Sequence, residues 1–106
     1  MPVNCTHLDQ ITVTEIPQQV AGCEECLKIG GQWVHLRLCL SCGKVGCRDS
    51  SPNRHASRHA GESGHPIVRS LEPGEDWCWC FVDELGLLIP QVTGTTRIPP
   101  SPMLYP

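Results

Sequence analysis

Residues 39–65 open as Cys39-Leu-Ser-Cys42-Gly-Lys-Val-Gly-Cys47, pass through His55-Ala-Ser-Arg-His59, and close on Ser63-Gly-His65. Working outward, Cys23-Glu-Glu-Cys26 and Cys5-Thr-His7 precede this stretch, and Cys78-Trp-Cys80 follows it. All eight cysteines of the 106-residue chain fall in these clusters. A zinc ion takes four thiolate or imidazole ligands in a tetrahedron. Eight cysteines together with His7, His55, His59 and His65 fill three such sites and leave only His35 over. The chain is therefore expected to fold around three zinc ions.

Size and composition agree with that reading. The length fits one domain with a modest core, to which three Trp, one Tyr and one Phe contribute the aromatic share. Small domains of this kind need a staple. Disulfides are the competing staple, because the cysteine count is even. Against them, C-x2-C pairs accompanied by clustered histidines follow metal spacing, and the N-terminus shows no basic stretch followed by an apolar run, so no secretory signal is expected. The net charge of −3 is mild, with eight basic residues scattered among eleven acidic ones. No phosphate-tracking stripe results, which disfavours a nucleic-acid reader. No apolar run approaches membrane-spanning length, and a cytoplasmic location is expected.

The expected organisation is a small α+β zinc-stapled domain, residues 1–89, with a short antiparallel sheet packed with one main helix. A Pro-rich tail follows at 90–106, where five of the ten prolines lie, and reads as extended or disordered. Residues 8–22 read as a polar loop. Gln32 to Leu38 alternates as a strand, with Val34, Leu36 and Leu38 on one face and Trp33, His35 and Arg37 on the other. Gly43 to Gly46 reads as a turn. Asp49-Ser-Ser-Pro52 is a helix start, and the helix runs from about Asn53 to Glu62, where Ser63-Gly64 stops it. Further strands are expected at 67–71, 77–82 and 87–89, with a Pro73-Gly74 turn between the first two of these.

Each constellation has a mechanical reason. A C-x2-C knuckle lets two thiolates grip one ion while backbone N–H groups point at the sulfurs. In a strand, residues i and i+2 share a face, so Cys78 and Cys80 can reach one ion while Trp77, Trp79 and Phe81 point the other way. Cys5-x-His7 has the same spacing and can supply the matching half. His55 and His59 lie four apart and share a helix face. A metalloprotease helix would carry a Glu directly after the first His, and Ala56 stands there. Closed sites are structural, and a nucleophilic-cysteine enzyme would need a free thiol that the count does not leave. The chain is therefore read as non-enzymatic. Spacing leaves the pairing open: Cys23, Cys26, Cys39 and Cys42 can form one ribbon site, or the sets interleave.

The ordered run from Cys5-x-His7 to Trp77-Cys-Trp-Cys80, including Ser63-Gly-His65-Pro, resembles the UBP-type zinc finger, the ubiquitin-binding module of ubiquitin-specific proteases, over about residues 5–89. The small stand-alone form is similar to bacterial members. The resemblance implies interleaved ligands: Cys5, His7, Cys78 and Cys80 on one ion; Cys23, Cys26, Cys47 and His55 on a second; Cys39, Cys42, His59 and His65 on the third. It also implies a pocket for a free Gly-Gly C-terminus, with aromatic walls and an Arg for the carboxylate. Trp77 matches a wall, and Trp79 stands where the family often has Tyr. Arg48 is displaced by one residue from the family's Cys-Gly-Arg-Tyr, and the Tyr is absent.

The resulting expectation is a zinc-binding protein-interaction module. It takes a partner's extended or free C-terminal segment at an aromatic pocket of Trp33, Trp77 and Trp79, with Arg37 or Arg48 near the ligand carboxylate. The alternative is a zinc-stabilised scaffold that docks another protein without a tail pocket.

Overall fold

The first knuckle winds into a helix that the sequence reading missed. In the computed structural model, which describes residues 10–33, 35–47, 54–72, 75–89 and 92–94, α1 spans Glu24–Ile29. Glu24 and Glu25 occupy its first turn and Lys28 its last, the arrangement that the helix dipole favours. Gly30 closes it in the left-handed conformation. Six residues are too few for a periodic signal, which is why the element was not legible.

The chain continues through β1 (Leu36–Cys39), β2 (Val45–Cys47), α2 (His55–Ser63), β3 (Ile67–Ser70), β4 (Cys78–Cys80) and β5 (Leu85–Leu87). The strands form one antiparallel sheet in the order β2-β1-β3-β4-β5. The α+β class, the antiparallel sheet and the single main helix are as expected. The helix starts two residues later than expected, on His55, with Arg54 as a left-handed N-cap at φ 48°. The expected Gly43–Gly46 turn is partly strand: β2 begins at Val45. The last strand lies at 85–87 instead of 87–89. Val34, the 49–52 cap and the Pro73-Gly74 turn lie outside the described residues.

Register assigns the faces. Leu36 pairs with Cys47, Leu38 with Val45 and Arg69, and Ile67 with Cys80, so these side chains share one face with Cys78. That face meets the core, where Ile16, Trp33, Leu40, Leu71, Ile89 and Val92 also pack. Both faces of β1 are buried, so the face of Arg37 is covered as well as that of Leu36 and Leu38. Burying Leu36, Leu38, Leu40 and Ile67 contributes on the order of 6–12 kcal/mol. A single structural zinc contributes about as much in a small domain, so core and metal are comparable terms.

The opposite face carries Gly46, Arg37, Cys39, Val68, Ser70 and Trp79. Helix α2 packs across β2 and β1 on this side. Its close approach depends on Gly46, where a Cβ would come within 2.8 Å of the Ala56 nitrogen. A second close contact is Gly22, φ 142°, where a Cβ would meet the Trp33 ring at 2.5 Å.

The 8–22 stretch is more than a polar loop. Glu15 forms a parallel bridge with Thr93, Ile16 N–H donates to the Thr93 carbonyl, and Thr93 N–H donates to the Thr14 carbonyl. Val92, within the segment read as tail, is buried in the core. Residues 95–106 lie outside the described residues.

Candidate metal centres

Eight of the twelve expected ligands converge into two groups. Cys23, Cys26, Cys47 and His55 form one, and Cys39, Cys42, His59 and His65 the other; within each, the ligand atoms lie within 4.8 Å of one another. The grouping is interleaved, and the ribbon arrangement of Cys23, Cys26, Cys39 and Cys42 does not occur. The reason is topological. Strand β1 delivers Cys39 to the face of α2, while its antiparallel partner β2 delivers Cys47 to the core face beside α1.

In the first group, Nδ1 of His55 lies 3.2 Å from Cys23 Sγ, 3.3 Å from Cys26 Sγ and 3.6 Å from Cys47 Sγ, and Cys26 Sγ lies 3.9 Å from Cys47 Sγ. In the second, Cys39 Sγ is 3.6 Å from His65 Nδ1, Cys42 Sγ is 3.3 Å from His59 Nε2, and the two ring nitrogens are 3.4 Å apart. Ligands at tetrahedral zinc distances of about 2.0–2.3 Å stand about 3.3–3.8 Å from one another. The donor sets, three sulfurs with one nitrogen and two with two, are those of structural zinc sites. The residues present therefore fit the ion. The backbone N–H of His55 donates to Cys47 Sγ at 3.3 Å, the type of outer contact that orients a thiolate ligand.

Electrostatics points the same way. Burial pushes the Cys26 thiol up to about 12, with the neighbouring Cys23 and Cys47 sulfurs adding to the rise. Burial also raises Cys23 and Cys39. A buried thiolate cluster needs a compensating positive charge, and a divalent cation supplies it while displacing the thiol protons. Burial lowers His55 and His59, which keeps both imidazoles neutral and able to ligate. The cysteines of both groups are free thiols, as metal spacing requires and disulfide scaffolds do not.

Exposure separates the two groups. Cys23, Cys26 and Cys47 are buried, whereas Cys42 is exposed and His59 and His65 are half-buried. Beside the knuckles, Lys44 bonds Glu25 at 2.6 Å, and Glu24 accepts the Val45 N–H at 2.7 Å. These contacts tie α1 to the second knuckle, a brace that sequence reasoning missed because its partners lie far apart in the chain.

Cys78 and Cys80 share the core face of β4 and are both buried, as the i, i+2 argument expects. The backbone N–H of Asp83 donates to Cys80 Sγ at 3.4 Å. Burial raises the Cys78 thiol to about 11. Cys5 and His7, their expected partners, lie outside the described residues, as does Arg48.

Among the described residues, the tryptophans form no aromatic cluster. Trp33 is buried in the core against Gly22. Trp77 and Trp79 are half-buried, and the Trp77 ring lies over the Arg37 guanidinium at 4.5 Å. Arg37 is itself buried and donates to the Leu36 carbonyl at 2.9 Å and to Ser70 Oγ at 3.4 Å. Among the described residues no helix is long and apolar enough to cross a membrane.

Comparison with known proteins places this geometry. The chain is 46% identical to protein RPA1320 from Rhodopseudomonas palustris, whose solution structure superposes with a TM-score of 0.74, covering 96% of this chain and 97% of that one. It is 29% identical to the NAD-dependent deacetylase sir2A of Dictyostelium discoideum over 74% of this chain, and 28% identical to ubiquitin carboxyl-terminal hydrolase 44 of Ailuropoda melanoleuca over 89%. It spans 16% and 13%, respectively, of those two relatives. A family profile described as "Zn-finger in ubiquitin-hydrolases and other protein" matches residues 23–87, a stretch that contains both ligand groups and all five strands of the sheet. The chain belongs to this UBP-type zinc-finger family.

Proposed function

We propose that the chain is a non-enzymatic zinc-binding module that takes an extended, free C-terminal segment of a partner protein on the sheet face shared by Arg37, Trp77 and Trp79. Trp77 and Trp79 carry this reading: they stand half-buried on the α2 side of the sheet, beyond the strands that the helix covers. Two aromatic side chains, Trp79 in β4 and Trp77 directly before it, offer contact area at low entropic cost, and an Arg offers a planar fork to a carboxylate. Arg48, next to Cys47, is a second cation for the same role. Ubiquitin-like tails are the natural class to test, given the hydrolase relative and the family.

The metal part of the proposal is three zinc ions. Cys23, Cys26, Cys47 and His55 hold one, and Cys39, Cys42, His59 and His65 a second. Cys5, His7, Cys78 and Cys80 hold a third, a reading supported by the shared buried face of Cys78 and Cys80. Each ion supplies structural cross-linking, with every coordination position filled by protein. A cytoplasmic setting, where thiols stay reduced, suits this use of cysteine.

Calorimetry with a peptide ending in Gly-Gly, free or amidated, tests the binding. Trp77→Ala and Trp79→Ala should lose binding of the free peptide while zinc content stays at the wild-type value. Retained binding in both variants refutes the aromatic face. A second reading, docking of a protein surface without a tail, is favoured by Leu27 and Ile29, which expose 51% and 63% on α1. It predicts a partner that is indifferent to amidation.

A further inference from the structure

Arg37 is a charged side chain in an unusual place. It sits in β1 with its side chain 5% exposed, stacked against Trp77. A buried cation is costly unless an anion and hydrogen bonds compensate it. A carboxylate that faces it is that of Glu75, with Oε1 at 4.0 Å from the guanidinium. That distance exceeds the roughly 2.7–2.9 Å of a direct charge-assisted hydrogen bond. The shorter contact of the same oxygen is with Ser70, whose hydroxyl donates to it at 2.5 Å. Ser70 is fully buried and pairs with Arg37 across the sheet.

The three groups differ in their freedom. Arg37 and Ser70 are held in the sheet, whereas the Glu75 side chain is 38% exposed and has a short path into water. The backbone of Glu75 is anchored separately, because Arg69 donates to its carbonyl at 2.8 Å. The side chain can therefore swing out while the Glu75 backbone stays in place. A carboxylate arriving from outside would meet the same hydroxyl and the same guanidinium, beneath the Trp77 ring.

We propose that Arg37 and Ser70 form the carboxylate anchor of this face, and that Glu75 occupies it internally, so that a ligand carboxylate binds by displacing the Glu75 side chain. The inference rests on the tail-binding reading above and deepens it. One carboxylate replaces another, so the net gain from the ion pair is small, and selectivity comes from the rest of the ligand on Trp77 and Trp79. Glu75 thus screens the anchor against free carboxylates that lack a matching chain.

The test uses the zinc-loaded chain and an acetylated hexapeptide ending in Gly-Gly, as free acid and as amide. Glu75→Ala and Glu75→Gln should bind the free acid about fivefold more tightly than wild type, the factor carried by a partly exposed pair worth up to about 1 kcal/mol. Both should leave the amide unchanged. Arg37→Lys, which keeps the charge and loses the planar fork, should weaken the free acid and not the amide. The Arg37 Nε–H resonance should shift on adding the free acid. Tail binding by wild type that Glu75→Ala leaves unchanged or weakens overturns the displacement and leaves the tail reading standing. Free-acid affinity unchanged in Arg37→Lys overturns the anchor. Failure of wild type and Glu75→Ala alike to bind either peptide refutes the tail reading and this inference with it.

Discussion

Adding one methyl group at Gly46 should strip metal from two centres at once. A Cβ there would stand 2.8 Å from the Ala56 nitrogen, 2.9 Å from its Cα and 3.2 Å from the His55 carbonyl carbon. Ordinary contact begins at 3.4 Å, so helix α2 must recede by about 0.6 Å. The obstacle is backbone, which no rotamer change relieves. Overpacking of this kind costs about 1–3 kcal/mol. The larger effect lies at the metals, because α2 carries His55 for one centre and His59 for the other. Metal–ligand distances tolerate about 0.2 Å. Gly46→Ala should therefore weaken both ions, each by about 10- to 100-fold, the range seen when ligand positioning is lost. Competition with a chromogenic chelator and elemental analysis measure this. Gly61→Ala is the control: it adds the same methyl on α2 itself, with nothing within 4 Å. It should stabilise by about 0.5–1 kcal/mol and keep all metal. Gly46→Ala protein with wild-type zinc affinity at both centres would refute the reasoning.

Three further outcomes follow from the site. Zinc affinity should fall as pH drops, because burial keeps Cys23 and Cys26 protonated until a metal displaces their protons; at least two protons released imply at least about a 100-fold loss per pH unit at the first centre. A pH-independent affinity between pH 6 and 8 contradicts this. Chelator-driven release from these two centres should occur in separate phases, with the centre containing exposed Cys42 emptied first and Cys42 alkylated before Cys23, Cys26 or Cys47; simultaneous release, or the reverse order, contradicts the exposure argument. Cys5→Ser or His7→Ala should lower the zinc content of the full chain from three ions to two, and an unchanged content removes both residues from the third site.

The residues of the two converging groups were legible in the sequence because their spacing reports local geometry. The knuckles and the i, i+4 pair on α2 each describe one short element. Their grouping was not legible from spacing, because it depends on which face of the sheet each strand presents, and the family resemblance supplied it. Elements of fewer than two periods escaped: α1 and β2 give too few positions for a pattern to repeat. Trp33 illustrates a different limit. Alternation puts it on one face with His35 and Arg37, opposite Leu36 and Leu38, but β1 begins only at Leu36, and Trp33 turns into the core where Gly22 makes room for it. The Arg37–Glu75 contact was invisible for a similar reason, since the two residues meet only through the β1–β3 pairing.

The interleaving of the two ligand groups also bears on how the molecule would survive damage. One group spans positions 23 to 55, and the other 39 to 65. A single backbone cut between Cys26 and Cys47 leaves two ligands of the first ion on each side. A cut between Cys42 and His59 does the same for the second ion, and these two intervals overlap. With both metals in place, a protease that nicks anywhere between Cys26 and His59 therefore yields two fragments still clasped by at least one ion. Such nicked protein should run as two bands after denaturation in chelator, yet migrate as one intact particle under native conditions.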